Sequence, residues 1–209
     1  MRKVIDKFKS QNVKFDAIYT GWLGDVEQVE ILVDLCVWQK KINPKIKIFV
    51  DPVMGDGGEL YPCQTEIAKE MPKLVEQANV IFPNPTEAAL LSGIAFERCH
   101  IASDGSVSVA TAATLASMLI GKFPNVTFVI TSVSDGNKIG AYIWTDNFNG
   151  VSTMIEKIPC AGTIGGTGDL FASLVIARFV EKDYFKIGVG PHVNSAVREV
   201  AKVLSVSSN

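Results

Sequence analysis

The sequence has no apolar run approaching the roughly 18 residues of a membrane span, so a helical integral-membrane protein is not expected. It does not open on a secretory signal: Met1-Arg2-Lys3-Val4-Ile5-Asp6-Lys7-Phe8-Lys9 is threaded with charge and has no apolar centre. Basic residues are not in excess. Twenty Lys+Arg against 22 Asp+Glu give a formal net charge of -2, whereas a bulk nucleic-acid binder shows a basic surplus. The four cysteines, Cys36, Cys63, Cys99 and Cys160, include no C-x-x-C pair. Neither a disulfide framework nor a zinc site is expected from that spacing, and a reducing cytoplasm is the expected home. Two nucleotide motifs are also missing. There is no G-x-x-x-x-G-K-[ST], which excludes a P-loop protein. The glycine run from Gly162 to Gly168 is not a G-x-G-x-x-G and has no following βα unit to supply a ribose-binding acid, which argues against a Rossmann dehydrogenase.

What is present is ample apolar mass. Of 209 residues 47% are hydrophobic and 20% charged, enough for a folded core. One domain spanning 1–209 is the simplest reading. Periodicity predicts helices over 1–12 and from a cap at Asp25 to about Lys41, where Asn43-Pro44 stops it. Further helices are predicted over 64–77, 86–92 with Pro85 at the first position, 106–121, 168–180 and 191–203. Short strands are predicted at 15–20, 46–50, 80–82 and 126–131, with glycine-rich loop from Val53 to Pro62. Strands alternating with helices imply parallel strands joined by right-handed crossovers. The turn clusters Asp135-Gly136-Asn137 and Asp146-Asn147-Phe148-Asn149-Gly150 then flank runs at 139–145 and 151–158, which read as antiparallel hairpins at the sheet edge.

Sites in such folds lie where parallel strands end and loops lead into helices. Here those ends read Asp51-Pro52-Val53-Met54-Gly55-Asp56, Pro83-Asn84-Pro85-Thr86-Glu87 and Thr131-Ser132. A fourth polar run, Gly162 to Asp169, stands directly before an apolar helix. Glycine-freed amides at a helix start bind anions, phosphate above all. Asp169 has two readings there: a first-turn acid favoured by the helix dipole, or a base that takes a proton from an attacking hydroxyl. Asp56 and Glu87 are hard oxygen ligands of the kind that hold Mg²⁺ together with waters and phosphates, or else solvated loop acids. Taken with the glycine loop they point to Mg-nucleotide phosphoryl transfer.

The minor candidates read more plainly. His100 and His192 are expected in surface or helix-end roles. Cys160 reads as a small apolar residue close to the glycine loop. Trp22, after the strand end, packs or borders the site, and Trp38 and Trp144 read as packing residues. Gly21 serves a close backbone approach or only a turn.

Asp51-Pro-Val-Met-Gly-Asp56, Pro83-Asn84-x-x-Glu87, Thr131-Ser132 and Gly166-Thr-Gly-Asp169-Leu-Phe-Ala resemble, in order and spacing, the successive signatures of the pyridoxal kinase family of the ribokinase-like superfamily. The resemblance runs from about residue 15 to the last helix. It implies a three-layer α/β/α sandwich with a mostly parallel central sheet and antiparallel edge strands. It implies phosphorylation of pyridoxal, pyridoxine or pyridoxamine by ATP, with Asp169 as catalytic base. The amides of Gly166, Thr167 and Gly168 would form the anion hole, and Asp56 and Glu87 would hold Mg²⁺ directly or through water. Asp51, Asn84, Thr131 and Ser132 would contact the ATP phosphates or their cations. A homodimer is the assembly that such relatives often form.

Two departures from the family pattern stand out. Phe82 occupies a position where many members carry a threonine that helps bind a monovalent cation, so a potassium requirement is not implied. The family also begins with βα units that nothing in residues 1–14 resembles, amounting to about 60 residues at roughly 30 per unit. They carry much of the vitamer pocket and a central strand, so the chain is expected to be N-terminally incomplete. The similar hydroxymethylpyrimidine kinases are the runner-up; they usually carry cysteine where Asp169 stands and lack the Gly55-Asp56 pair. A nucleotide-binding fragment without turnover is the third reading.

Overall fold

The computed structural model describes residues 1–145, 148–157, 166–181 and 189–207. The chain begins with α1 (Arg2–Ser10), β1 (Ala17–Thr20), α2 (Val26–Ile42), β2 (Lys47–Val50), β3 (Gly55–Asp56) and β4 (Glu59–Leu60). It continues through α3 (Thr65–Val75), β5 (Val80–Ile81), α4 (Pro85–Ser92), β6 (Val107–Ser108) and α5 (Val109–Lys122). It closes with β7 (Thr127–Asp135), β8 (Lys138–Thr145), β9 (Phe148–Glu156), α6 (Thr167–Glu181) and α7 (Gly190–Ser207).

The main sheet runs β1-β2-β5-β7-β8-β9, with β6 also paired to β7. The pairs β1/β2, β2/β5, β5/β7 and β6/β7 are parallel; β7/β8 and β8/β9 are antiparallel. This is the expected α/β architecture, a parallel sheet with an antiparallel edge. Strand pleating splits the core in two. Ile48, Val50, Ile81, Phe128 and Ile130 face one layer, with Leu32, Met71, Ala89 and Leu115 from α2, α3, α4 and α5. Phe49, Val80 and Val129 face the other, with Ala172 and Val175 of α6 and Val193 and Ala196 of α7. Phe49 and Phe128 are fully buried, each removing an aromatic side chain from water for about 1.5–3 kcal/mol.

Local signals explain the helix starts. Asp25 caps α2, its Oδ1 accepting from Gln28 N at 2.9 Å. Pro85 stands at the first position of α4, where its missing N–H costs nothing.

Two expectations need correction. The 53–62 loop contains the β3/β4 hairpin, which is two residues per strand and so carries no periodicity to read. The strand at 126–131 does not end at Thr131-Ser132. It passes through a bulge and continues to Asp135, gaining β6 as a partner beyond it. Of the two roles expected for His192 it takes the helix-end one: it is 3% exposed in the first turn of α7, because its neighbours Val189 and Val193 seat that turn in the second core. Trp38 and Trp144 pack against the first core as expected, whereas Trp22 is 56% exposed. Cys160 and Gly162 to Gly165 lie outside the described residues. Cys36, Cys63 and Cys99 are free thiols.

Candidate active site

The first wall is built at the start of α4. Asn84 Oδ1 accepts from Glu87 N at 3.0 Å, and Glu87 Oε2 accepts from Asn84 N at 2.8 Å. This reciprocal capping box satisfies two otherwise orphaned amides. The same turn grips the loop after β2. Asn84 Nδ2 donates to Gly55 O at 2.7 Å, Met54 N donates to Glu87 Oε1 at 3.2 Å, and Gly58 N donates to Thr86 Oγ1 at 2.9 Å. Gly55 must be glycine: a Cβ there would stand 2.2 Å from Glu59 O. Asp56 is thereby carried, exposed, on the hairpin.

Asp51 follows β2, anchored by its N–H donating to Thr20 O at 2.8 Å. It is 8% exposed. Burial first, then the Asp169 charge, pushes its carboxyl up to about 7, against a hydrogen bond from Tyr19 that pulls down. Glu87, 3% exposed, is held well above the usual carboxylate range by burial and then by Asp51, opposed by the amides of Asn84 and Met54. Tyr61, at the end of the hairpin, is also raised by burial and then by Asp56, Glu87 and Asp51.

Thr131 and Ser132 come from the β7 bulge. Ile130 pairs with Tyr142 and Val133 with Gly140, so two residues of β7 oppose one of β8. Ser132 sits at φ 52, a left-handed conformation that non-glycine residues adopt at a cost. Gly166, Thr167, Gly168 and Asp169 open α6, with Leu170 N donating to Gly166 O at 3.0 Å.

All of these meet in one cleft of about 580 Å³. Asp51, Asp56, Asn84, Glu87, Thr131, Ser132, Gly166, Thr167, Gly168 and Asp169 all line it. Ile139, Ile155, Val197, Val200 and Leu204 add apolar lining. The described lining of the cleft includes no Lys or Arg. Asp104, which also lines it, pairs with Lys157 at 3.4 Å, while Asp51, Asp56, Glu87 and Asp169 form no ion pair among the described residues. That imbalance suits a cation. Among the described residues no three acids, histidines or cysteines stand close enough to cage a metal alone. Mg²⁺ needs only one or two carboxylates and fills its octahedron with water and phosphate. Both Glu87 oxygens already accept from backbone amides, so its share would run through water or remaining lone pairs.

Three polar residues escaped the sequence reading: Tyr61 and Asp104, which line the cleft, and Tyr19. Tyr19 of β1 places its hydroxyl 3.4 Å from Asp51 Oδ2 and 3.5 Å from Asp169 Oδ1. The only local signal was strand alternation, which turns Tyr19 away from the buried Ile18 and Thr20. His100 is exposed and does not line the cleft.

The sequence profile of the family described as phosphomethylpyrimidine kinase matches residues 3–189. A pyridoxal kinase of Arabidopsis thaliana is 29% identical over 167 residues, 76% of this chain and 49% of the relative. A Bacteroides thetaiotaomicron protein assigned to the phosphomethylpyrimidine kinases, crystallised with pyridoxal, is 29% identical with a TM-score of 0.77, covering 96% of this chain and 66% of the other. The pyridoxal kinase of Leishmania donovani, solved with ADP and pyridoxamine, shares the fold at 21% identity and a TM-score of 0.78, covering 98% and 66%. The chain spans about half the length of the curated relatives it matches.

Proposed function

The chain belongs to the phosphomethylpyrimidine kinase family, and from that membership we propose that it transfers the γ-phosphoryl group of ATP to the hydroxymethyl group of a B6 vitamer. The products are the vitamer 5′-phosphate and ADP. The observation that carries this reading is the convergence of the α6 amides, the strand-end acids and Asp169 on one cleft.

The chemistry follows from the parts. Asp169 takes the hydroxymethyl proton as the oxygen attacks the γ-phosphorus and the bond to the β-phosphate oxygen breaks. The amides of Gly166, Thr167 and Gly168, at the positive end of α6, receive the charge on the transferring group. Thr131, Ser132 and Asn84 contact the phosphate chain, and Asp51 the phosphates through their cations. The apolar lining from α7, β8 and β9 suits a purine face. Asp56 and Glu87 would hold Mg²⁺, which supplies charge neutralisation on the phosphates. Phe82 is 3% exposed, its ring 6.4 Å from Phe49 and 6.2 Å from Phe171, so it offers no oxygen where a threonine would.

The pyrimidine substrate is the second reading, favoured by the family description itself. Asp169 and the Gly55-Asp56 pair favour the vitamer. Among the described residues no helix is long and apolar enough to cross a membrane; the proposed setting is the cytoplasm and the proposed assembly a homodimer. Steady-state kcat/KM for pyridoxal against hydroxymethylpyrimidine, with ATP and Mg²⁺, tests the assignment. A higher value for pyridoxal is expected; the reverse order would overturn the vitamer reading in favour of the pyrimidine.

A further inference from the structure

We propose that Tyr19 is a positioning residue for Asp169, its phenolic hydroxyl holding the carboxylate in the orientation from which it accepts the substrate proton. The inference rests on the kinase reading of the cleft.

The hydroxyl stands between two carboxylates contributed by elements far apart in the chain, 3.4 Å from Asp51 Oδ2 and 3.5 Å from Asp169 Oδ1. Register places Tyr19 beside Phe49 of β2, so its ring rises on the α6 side of the sheet, toward the first turn that carries Asp169.

A phenol suits the task better than a cation. Lysine or arginine at this place would pair with Asp169 and weaken it as a base. A neutral hydroxyl, its one proton shared between Asp51 and Asp169, leaves the negative charge in place. Burial, then the Asp51 and Asp169 charges, pushes the Tyr19 phenol upward, so it keeps its proton and remains a donor at neutral pH. Without the hydroxyl, Asp51 and Asp169 face each other with nothing between them, and repulsion favours Asp169 rotamers turned away from the substrate.

Tyr19→Phe keeps the ring and removes only the hydroxyl. The kcat for vitamer phosphorylation is expected to fall about tenfold, the low end of what a hydrogen bond to a charged group is worth at these lengths. The KM for ATP is expected to stay within about twofold, because the interaction serves the reacting groups and not nucleotide binding. The melting temperature is expected to stay at the wild-type value. An unchanged kcat, or a kcat that falls together with the melting temperature, would overturn the proposal. A wild-type chain that phosphorylates neither substrate would bring down the kinase reading instead. The contact is then decided by the Tyr19 hydroxyl proton in NMR spectra, identified by its loss in Tyr19→Phe. Its displacement by Asp169→Asn supports the proposal, and an unmoved signal overturns it.

Discussion

Asn84 and Glu87 cap each other across the first turn of α4, each side chain accepting from the other's backbone amide. The same two side chains hold Gly55 and Met54. One reciprocal pair therefore starts a helix and fixes the acidic loop beside it, which joins stability to function at a single point.

Asn84→Ala removes the cap and the tie to Gly55. A loss of about 1–2 kcal/mol in unfolding free energy is expected, read from a shift of the denaturation midpoint at unchanged m-value. No shift would mean that the pair does not hold the turn in solution.

Gly55→Ala forces a methyl group to 2.2 Å from Glu59 O. The obstacle is backbone, so the hairpin must open. A destabilisation of about 1–3 kcal/mol is expected, with weaker Mg²⁺ binding because Asp56 moves with the hairpin. Wild-type stability would show that the hairpin is looser than the structure has it.

The buried acids set a pH dependence. Asp51, pushed up to about 7, and Glu87, raised by burial and Asp51, bind protons more tightly folded than unfolded, where a carboxyl titrates near 4. Their contribution is present at acid pH and is lost as pH rises from about 4 through about 7. The melting temperature of the ligand-free chain is expected to fall between about pH 5 and pH 8. In Asp51→Asn the fall is expected to be smaller. Identical profiles for the two proteins would remove Asp51 as a cause.

Mg²⁺ should reverse that loss. At about pH 8 the added cation is expected to raise the melting temperature by mass action, with chelator restoring the lower value. Asp56→Asn is expected to blunt the rise. A full response in that variant would exclude Asp56 from the cation site.

Much of this was legible in the sequence, for physical reasons that differ by residue. Asp25 and Pro85 announce their helices because capping and the fixed proline φ act locally. The strand-end runs at Asp51 and Asn84 were readable because parallel strands must end on one side of the sheet, whereas Thr131 stands at a bulge inside β7 and not at its end. The bulge was not readable, since Ser132 is a non-glycine residue in a left-handed conformation that no local pattern foretells. The strands β3, β4 and β6 are too short to show a period. Tyr19 was hidden because its partner Asp169 lies 150 residues away, and only tertiary packing brings them together.

The central claim is that Asp169 is the base of a kinase cleft. The most direct measurement is the rate of pyridoxal 5′-phosphate formation from ATP, Mg²⁺ and pyridoxal by the purified chain and by Asp169→Asn. Product is expected from the wild type, with the variant slower by about a hundredfold or more, the usual worth of a positioned general base. Equal rates in the two proteins, or no product from the folded wild-type chain, would contradict it.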